Sequence, residues 1–171
     1  APAVPPSKPE ISSNYVQIGE ASGNWGAKVI CVQESDVKFI EGVWGADLMF
    51  LENNIGVRDI FDTYINTVYW DGRAVFNTTA TTPLLIGGTR VTKTLFLCEG
   101  ASCSRNKLGF IFPEPDNQEH ILELRIDTAN QIDEEVESNN LYRSRVYFEF
   151  KGVCPQVSPP PPSPLPNPPS P

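Results

Sequence analysis

Hydrophobic residues along this chain recur mostly with a period of two. In YRSRVYFEF, Tyr142, Ser144, Val146, Phe148 and Phe150 share one face and Arg143, Arg145, Tyr147 and Glu149 the other. That pattern predicts an antiparallel strand with one face on a core and one in solvent. HILELRID sends Leu122, Leu124 and Ile126 one way and Glu123, Arg125 and Asp127 the other. VTKTLFLC sets Val91, Lys93, Leu95 and Leu97 against Thr92, Thr94, Phe96 and Cys98. FDTYINTVYW carries bulk on both faces, as a central strand does, and runs into an Asp71-Gly72 turn. Weaker strand patterns fall on YVQIG, KVICV, DVKFIEG, ADLMFLE and KLGFIF, with a further candidate at PLLIG.

Short strands separated by Gly, Asn, Asp and Pro turns, with no convincing three-turn helix, predict an all-β chain of seven to nine strands. An immunoglobulin-like antiparallel β-sandwich is the expected architecture, and a closed barrel is the alternative. The pattern stops at both ends. APAVPPSKPE, residues 1–10, holds four prolines and reads as an extended lead-in. Residues 155–171 are Ser/Pro-rich, and the last twenty residues contain ten of the 17 prolines and no charged side chain. Proline has no amide hydrogen and a fixed φ, so this tail is expected as a polyproline II rod, acting as a spacer or as a ligand for an aromatic groove. The sandwich is therefore expected over residues 11–154.

Charge narrows the partners. The chain has 21 acidic and 13 basic residues, a net charge of −8, and no Lys/Arg run that could follow a phosphate backbone. Nucleic acid is a poor match, and no apolar run is long enough for membrane insertion. Any secretory signal is expected to have been removed already.

Four cysteines at irregular spacing fit two disulfides better than a zinc site. Cys98 pairs most simply with Cys103 across EGAS, leaving Cys31 for Cys154; the other two pairings, and four reduced thiols, are the alternatives. Oxidised pairs imply an extracellular or otherwise oxidising compartment. In such a compartment Asn77, which opens the sequon NTT, is an N-glycosylation candidate.

Catalytic constellations are hard to assemble from this sequence. His120 is the sole histidine, no G-x-S-x-G elbow exists, and no phosphate loop is present. The expectation is a protein that is not an enzyme and uses no cofactor. The densest chemistry is IDTANQIDEEVESNN, residues 126–140, with five carboxylates. Asp127, Asn130 and Asp133 are three apart with no glycine, which departs from a calcium loop; a looser site joining Asp127 to Asp59 or Asp62 is the rival. The simpler reading is a connection between strands. Asp127, Asn130, Asn139 and Asn140 then shape backbone turns, and Glu134, Glu135 and Glu137 are solvated, so that replacing the three together spares the fold. Trp25, Trp44 and Trp70 are candidates for stacking on sugars if they surface together.

The order of these pieces resembles the CARDB (cell-adhesion-related) domain. ADLMFLENNIGVRDIFDTYINTVYWDG has a hydrophobic strand, an Asn-x-Gly turn at Asn54 and Gly56, and a second strand ending on Asp71-Gly72. LLIGGTRVTKTLFL resembles the glycine turn and strand that follow. HILELRIDTANQIDEEVESNNLYRSRVYFEF resembles the closing hairpin, with Asp127, Asn130, Glu135, Glu137, Asn139 and Asn140 in the signature places. The likeness covers about residues 46–150 and implies an immunoglobulin-type sandwich, generally non-catalytic, in secreted or surface proteins. The tail resembles the hydroxyproline-rich segments of algal and plant wall glycoproteins, in which serine-proline repeats are hydroxylated and glycosylated. Together the likenesses imply a module of the extracellular matrix, cell wall or cell surface. Its implied partners are matrix or wall glycoproteins, proline-rich segments in trans, or glycans. The alternative is an accessory domain of a larger secreted hydrolase.

Overall fold

The computed structural model describes residues 5–96, 110–112 and 115–155. Its strands are β1 (Ile11–Ser12), β2 (Val16–Ile18), β3 (Ala21–Gly23), β4 (Ile30–Val32), β5 (Lys38–Ile40), β6 (Val43–Ala46), β7 (Leu48–Asn54), β8 (Tyr64–Trp70), β9 (Arg73–Ala80), β10 (Thr89–Thr94), β11 (Phe110–Phe112), β12 (Glu119–Arg125) and β13 (Leu141–Phe148). PLLIG forms no strand; Leu84 makes a single bridge to Ile60.

The first large sheet is built on β7, which pairs with β10 along one side and with β1 and β2 along the other, β3 following β2. The second runs β4-β13-β12-β8-β9. Every pairing is antiparallel except β4 with β13, which is parallel. Three short strands, β11-β6-β5, make a separate small sheet. The two large sheets face each other across one core. Ile18, Leu48 and Phe50 come from the first, and Val68, Leu122, Leu124, Val146 and Phe148 from the second. This is the immunoglobulin-like sandwich, and area removed from water across these inner faces is its main source of stability.

The chain passes from the small sheet into the large one at Asp47, between β6 and β7. Its carboxylate accepts from the amide of Phe96 at 2.8 Å and from Lys38 Nζ at 3.1 Å, and its carbonyl accepts from the amide of Gly19 at 2.9 Å. Gly45 just before it lies flat against the fully buried Phe96 ring, where a Cβ would come within 2.6 Å of Cδ2. The Asp71-Gly72 turn joins β8 to β9 with φ of 48° and 80°, left-handed at both positions as a two-residue hairpin requires.

A disulfide joins Cys31 on β4 to Cys154, with the Cα atoms 5.9 Å apart. It covers Val29 and Tyr147 on the outer side of the second sheet. Cys98, Cys103 and the Pro-rich tail beyond Pro155 lie outside the described residues.

Candidate functional site

Three buried polar networks and one aromatic row account for most of the chemistry-bearing side chains. The first network surrounds the acidic connection after β12. Asp127, 1% exposed and at φ 47°, accepts from the amides of Gln131 at 2.8 Å and Ile132 at 2.7 Å, closing the turn on itself. Its own amide donates to Asn66 Oδ1 at 3.1 Å, which ties the turn to β8. Asn130 also has positive φ, and its amide donates to the Asp127 carbonyl at 2.9 Å.

Glu134 departs from the expected solvated role. It is 2% exposed and accepts from the Ile11 amide at 2.6 Å and from Asn140 Nδ2 at 2.7 Å. Burial outweighs these donors and pushes its carboxyl up to about 7. Glu10, also buried, accepts from the Val136 amide at 2.9 Å and from Asn139 Nδ2. Glu135 and Glu137 remain exposed. The separation has a physical cause: the stretch 7–11 lies across the acidic connection, so a carboxylate meets orphan strand amides instead of water.

Ser7 to Ile11 thus forms a strap between the sheets. The Lys8 and Glu10 carbonyls accept from Val57 at 3.1 Å and Ile55 at 2.8 Å, and the Pro9 carbonyl accepts from Glu135 at 3.2 Å. Gly56 admits the strap, since a Cβ there would stand 2.3 Å from the Glu10 nitrogen. Asn54 organises the same end of the sandwich. Its side chain donates to the carbonyls of Arg58 at 2.7 Å and Leu84 at 3.0 Å, and accepts from the Gly56 amide at 3.0 Å.

The second network crosses between the sheets. Glu52 is fully buried on β7 and accepts from Tyr64 Oη at 2.8 Å, Asn66 Nδ2 at 2.9 Å and Thr92 Oγ1 at 2.7 Å, with Arg90 Nη1 3.8 Å away. Burial next to this carboxylate raises the Tyr64 phenol. The sequence does hold a signal for Glu52: it is in phase with Leu48 and Phe50, at a position where the alternation demands a core residue.

His120 forms the third. One ring nitrogen meets Asp71 at 2.7 Å and the other Asp116 at 2.8 Å, while Trp70 stacks on the ring at 4.8 Å. Burial works against the charge, but the two carboxylate hydrogen bonds outweigh it and hold the imidazole above its ordinary value. This is a clamp fastening the β8–β9 turn to β12.

The tryptophans do not surface together. Trp70 is 4% exposed and enclosed by His120 and Phe148, which corrects its assignment as a contact for sugars. Trp25 is half-buried, donating to Ser13 Oγ at 2.8 Å and packing 6.1 Å from Tyr142. Trp44 is half-buried between Phe39 at 4.7 Å and Phe150 at 6.3 Å. Phe39 is 59% exposed, so this row reaches the surface on the small sheet. Asn77 is exposed on β9. Asp59 caps the Ile86 amide at 2.8 Å.

Among the described residues no group of three or more His, Cys, Asp or Glu side chains is placed to hold a metal ion, and no helix is long and apolar enough to cross a membrane.

No family model matches the chain, and no curated protein matches it. Among solved structures, the crystal structure of the CARDB domain of the PF1109 protein from Pyrococcus furiosus, in complex with di-metal ions, is similar to it. The TM-score is 0.51 at 14% identity, covering 86% of this chain and 94% of that one. A solution structure of the same domain matches at TM-score 0.47 and 17% identity, over 83% of this chain and 98% of that one. The crystal structure shows a distant likeness of fold: the chain folds as an immunoglobulin-like sandwich similar to that CARDB domain.

Proposed function

We propose that this domain is a non-catalytic interaction module of the extracellular matrix or cell surface, which holds proline-rich or sugar chains against the aromatic row Phe39, Trp44 and Phe150. One observation carries this reading: a large aromatic side chain, Phe39, stands 59% exposed and packs at a tilt on Trp44, 4.7 Å between ring centres, with Phe150 on the other side of Trp44. An exposed aromatic face backed by further rings suits proline rings and the apolar faces of sugars. The carboxylates of Glu10, Glu52, Glu134 and Asp127, and the ring of His120, are by contrast committed to amides and side chains of the chain itself.

The Cys31–Cys154 bond suits an oxidising compartment, and a Cys98–Cys103 bond would add a second staple. The exposed Asn77 is available for an N-glycan in that compartment. In this reading the Ser/Pro-rich segment 155–171 spaces the module from a neighbour or serves as ligand for another copy.

An array of proline-rich peptides, including residues 158–171, and of wall glycans tests this function, with product analysis for hydrolysis alongside. Binding of one of these classes, lost in Trp44→Ala, is expected. No binding, together with turnover of a matrix substrate, would overturn it.

A further inference from the structure

The outer face of the sheet β4-β13-β12-β8-β9 carries a charge opposite to that of the chain. The protein has a net charge of −8, yet Lys28, Arg125, Arg143 and Arg145 all stand exposed on this face, with Glu119 and Glu123 the carboxylates that pair with its arginines. Glu123 lies beneath them, 6% exposed, accepting from Arg125 Nε and Arg143 Nε at 2.6 Å each. Burial opposes its ionisation, but these two hydrogen bonds prevail and hold its carboxyl below the ordinary range. Because Arg143 is held through Nε, its terminal nitrogens remain a planar pair of donors of the shape that fits a carboxylate.

Beside it is a cavity of about 230 Å³ lined by Gly26, Lys28, Ile121, Arg143, Ser144 and Arg145. Three cations line it and no carboxylate does. The buried Ser144 accepts from the Gly26 amide at 3.1 Å, which fixes the turn that carries Lys28. Arg145 is paired only loosely, at 3.5 Å from Glu119.

We infer that this face binds an acidic polysaccharide, with the carboxylate of one sugar residue set between Lys28, Arg143 and Arg145. The cavity has the scale of a single sugar ring, and Ile121 offers an apolar wall beside the cations, the combination a uronate presents in reverse. Lys28, Arg143 and Arg145 gather around one cavity on an otherwise acidic protein. A nucleic acid, with phosphates in close succession, needs a longer basic track. The patch shares no residue with the aromatic row, so it goes beyond the function proposed above.

Calorimetric titration of the full chain with oligogalacturonate at low salt tests it. Binding is expected, weakening steeply with added salt. Arg145→Ala and Lys28→Ala should each lower the affinity about tenfold without moving the thermal midpoint. Lys93→Ala, which removes an exposed cation on β10 of the other sheet, should leave binding unchanged, and neutral dextran should not bind. Four results would overturn the inference: no heat with the unaltered protein, an equal loss in Lys93→Ala, tighter binding of single-stranded DNA than of oligogalacturonate, or self-association abolished by the same two variants. Trp44→Ala should retain oligogalacturonate binding, so failure of this inference and failure of the aromatic site are read separately.

Discussion

The carboxylate of Glu134 lies 2.6 Å from the backbone nitrogen of Ile11, 123 residues away in sequence, and accepts its hydrogen bond inside the fold. Glu134 has its carboxyl raised to about 7 by burial, against about 4.5 when unfolded. The folded state therefore binds the proton more tightly than the unfolded chain. The stabilisation is fully present below about pH 4.5 and is lost as the pH rises through about 7, a change of order 2–3 kcal/mol. Glu134→Gln should flatten this part of the profile in urea unfolding followed from pH 5 to 8. With the Asn140 amide turned over, the new Gln amide can donate to Asn140 Oδ1, which otherwise has no hydrogen-bond partner. Glu134→Ala should destabilise at every pH, because it leaves the Ile11 amide buried and unpaired.

Glu52 should tolerate change less well. Replacement by leucine removes the acceptor shared by Tyr64, Asn66 and Thr92 and leaves Arg90 without its buried counter-charge. The expected loss is about 3–5 kcal/mol in denaturant unfolding. Glu52→Gln keeps one acceptor oxygen and should lose distinctly less.

His120 can be followed without assignment, because it is the sole histidine. Its proton NMR titration should give a pKa above the ordinary 6.5, and Asp71→Asn should lower it. A group with a raised folded pKa stabilises fully below its unfolded value. The contribution from His120 is therefore present below about pH 6.5 and disappears as the pH rises through the folded pKa.

Reducing the Cys31–Cys154 bond frees a loop that spans 123 residues. The expected cost is about 2–5 kcal/mol, measured as the shift in urea midpoint between the oxidised protein and Cys31→Ser/Cys154→Ser.

Much of the sandwich is legible in local alternation. β8, β12 and β13 sit where their period-two patterns place them, and the left-handed turn at Asp71-Gly72 follows from the residue types alone. The role of Glu134 is not legible, because its partner amide belongs to Ile11, and no local pattern connects Glu134 with Glu135 and Glu137 differently. The basic face is hidden for the same reason. Lys28 and Arg143 are more than a hundred residues apart and meet only because β4 runs parallel to β13. Trp44 and Trp70 look alike as sequence, yet one lies on a short sheet that reaches the surface and the other between two layers.

Recognition at the aromatic row is tested most directly by recording the indole N–H signals of the three tryptophans during titration. The ligands are the peptide of residues 158–171 and neutral wall oligosaccharides. The Trp44 signal should move with one of these ligands, while that of the enclosed Trp70 stays in place and Phe39→Ala weakens the response. No movement of any indole signal with any of them would contradict recognition at the aromatic row.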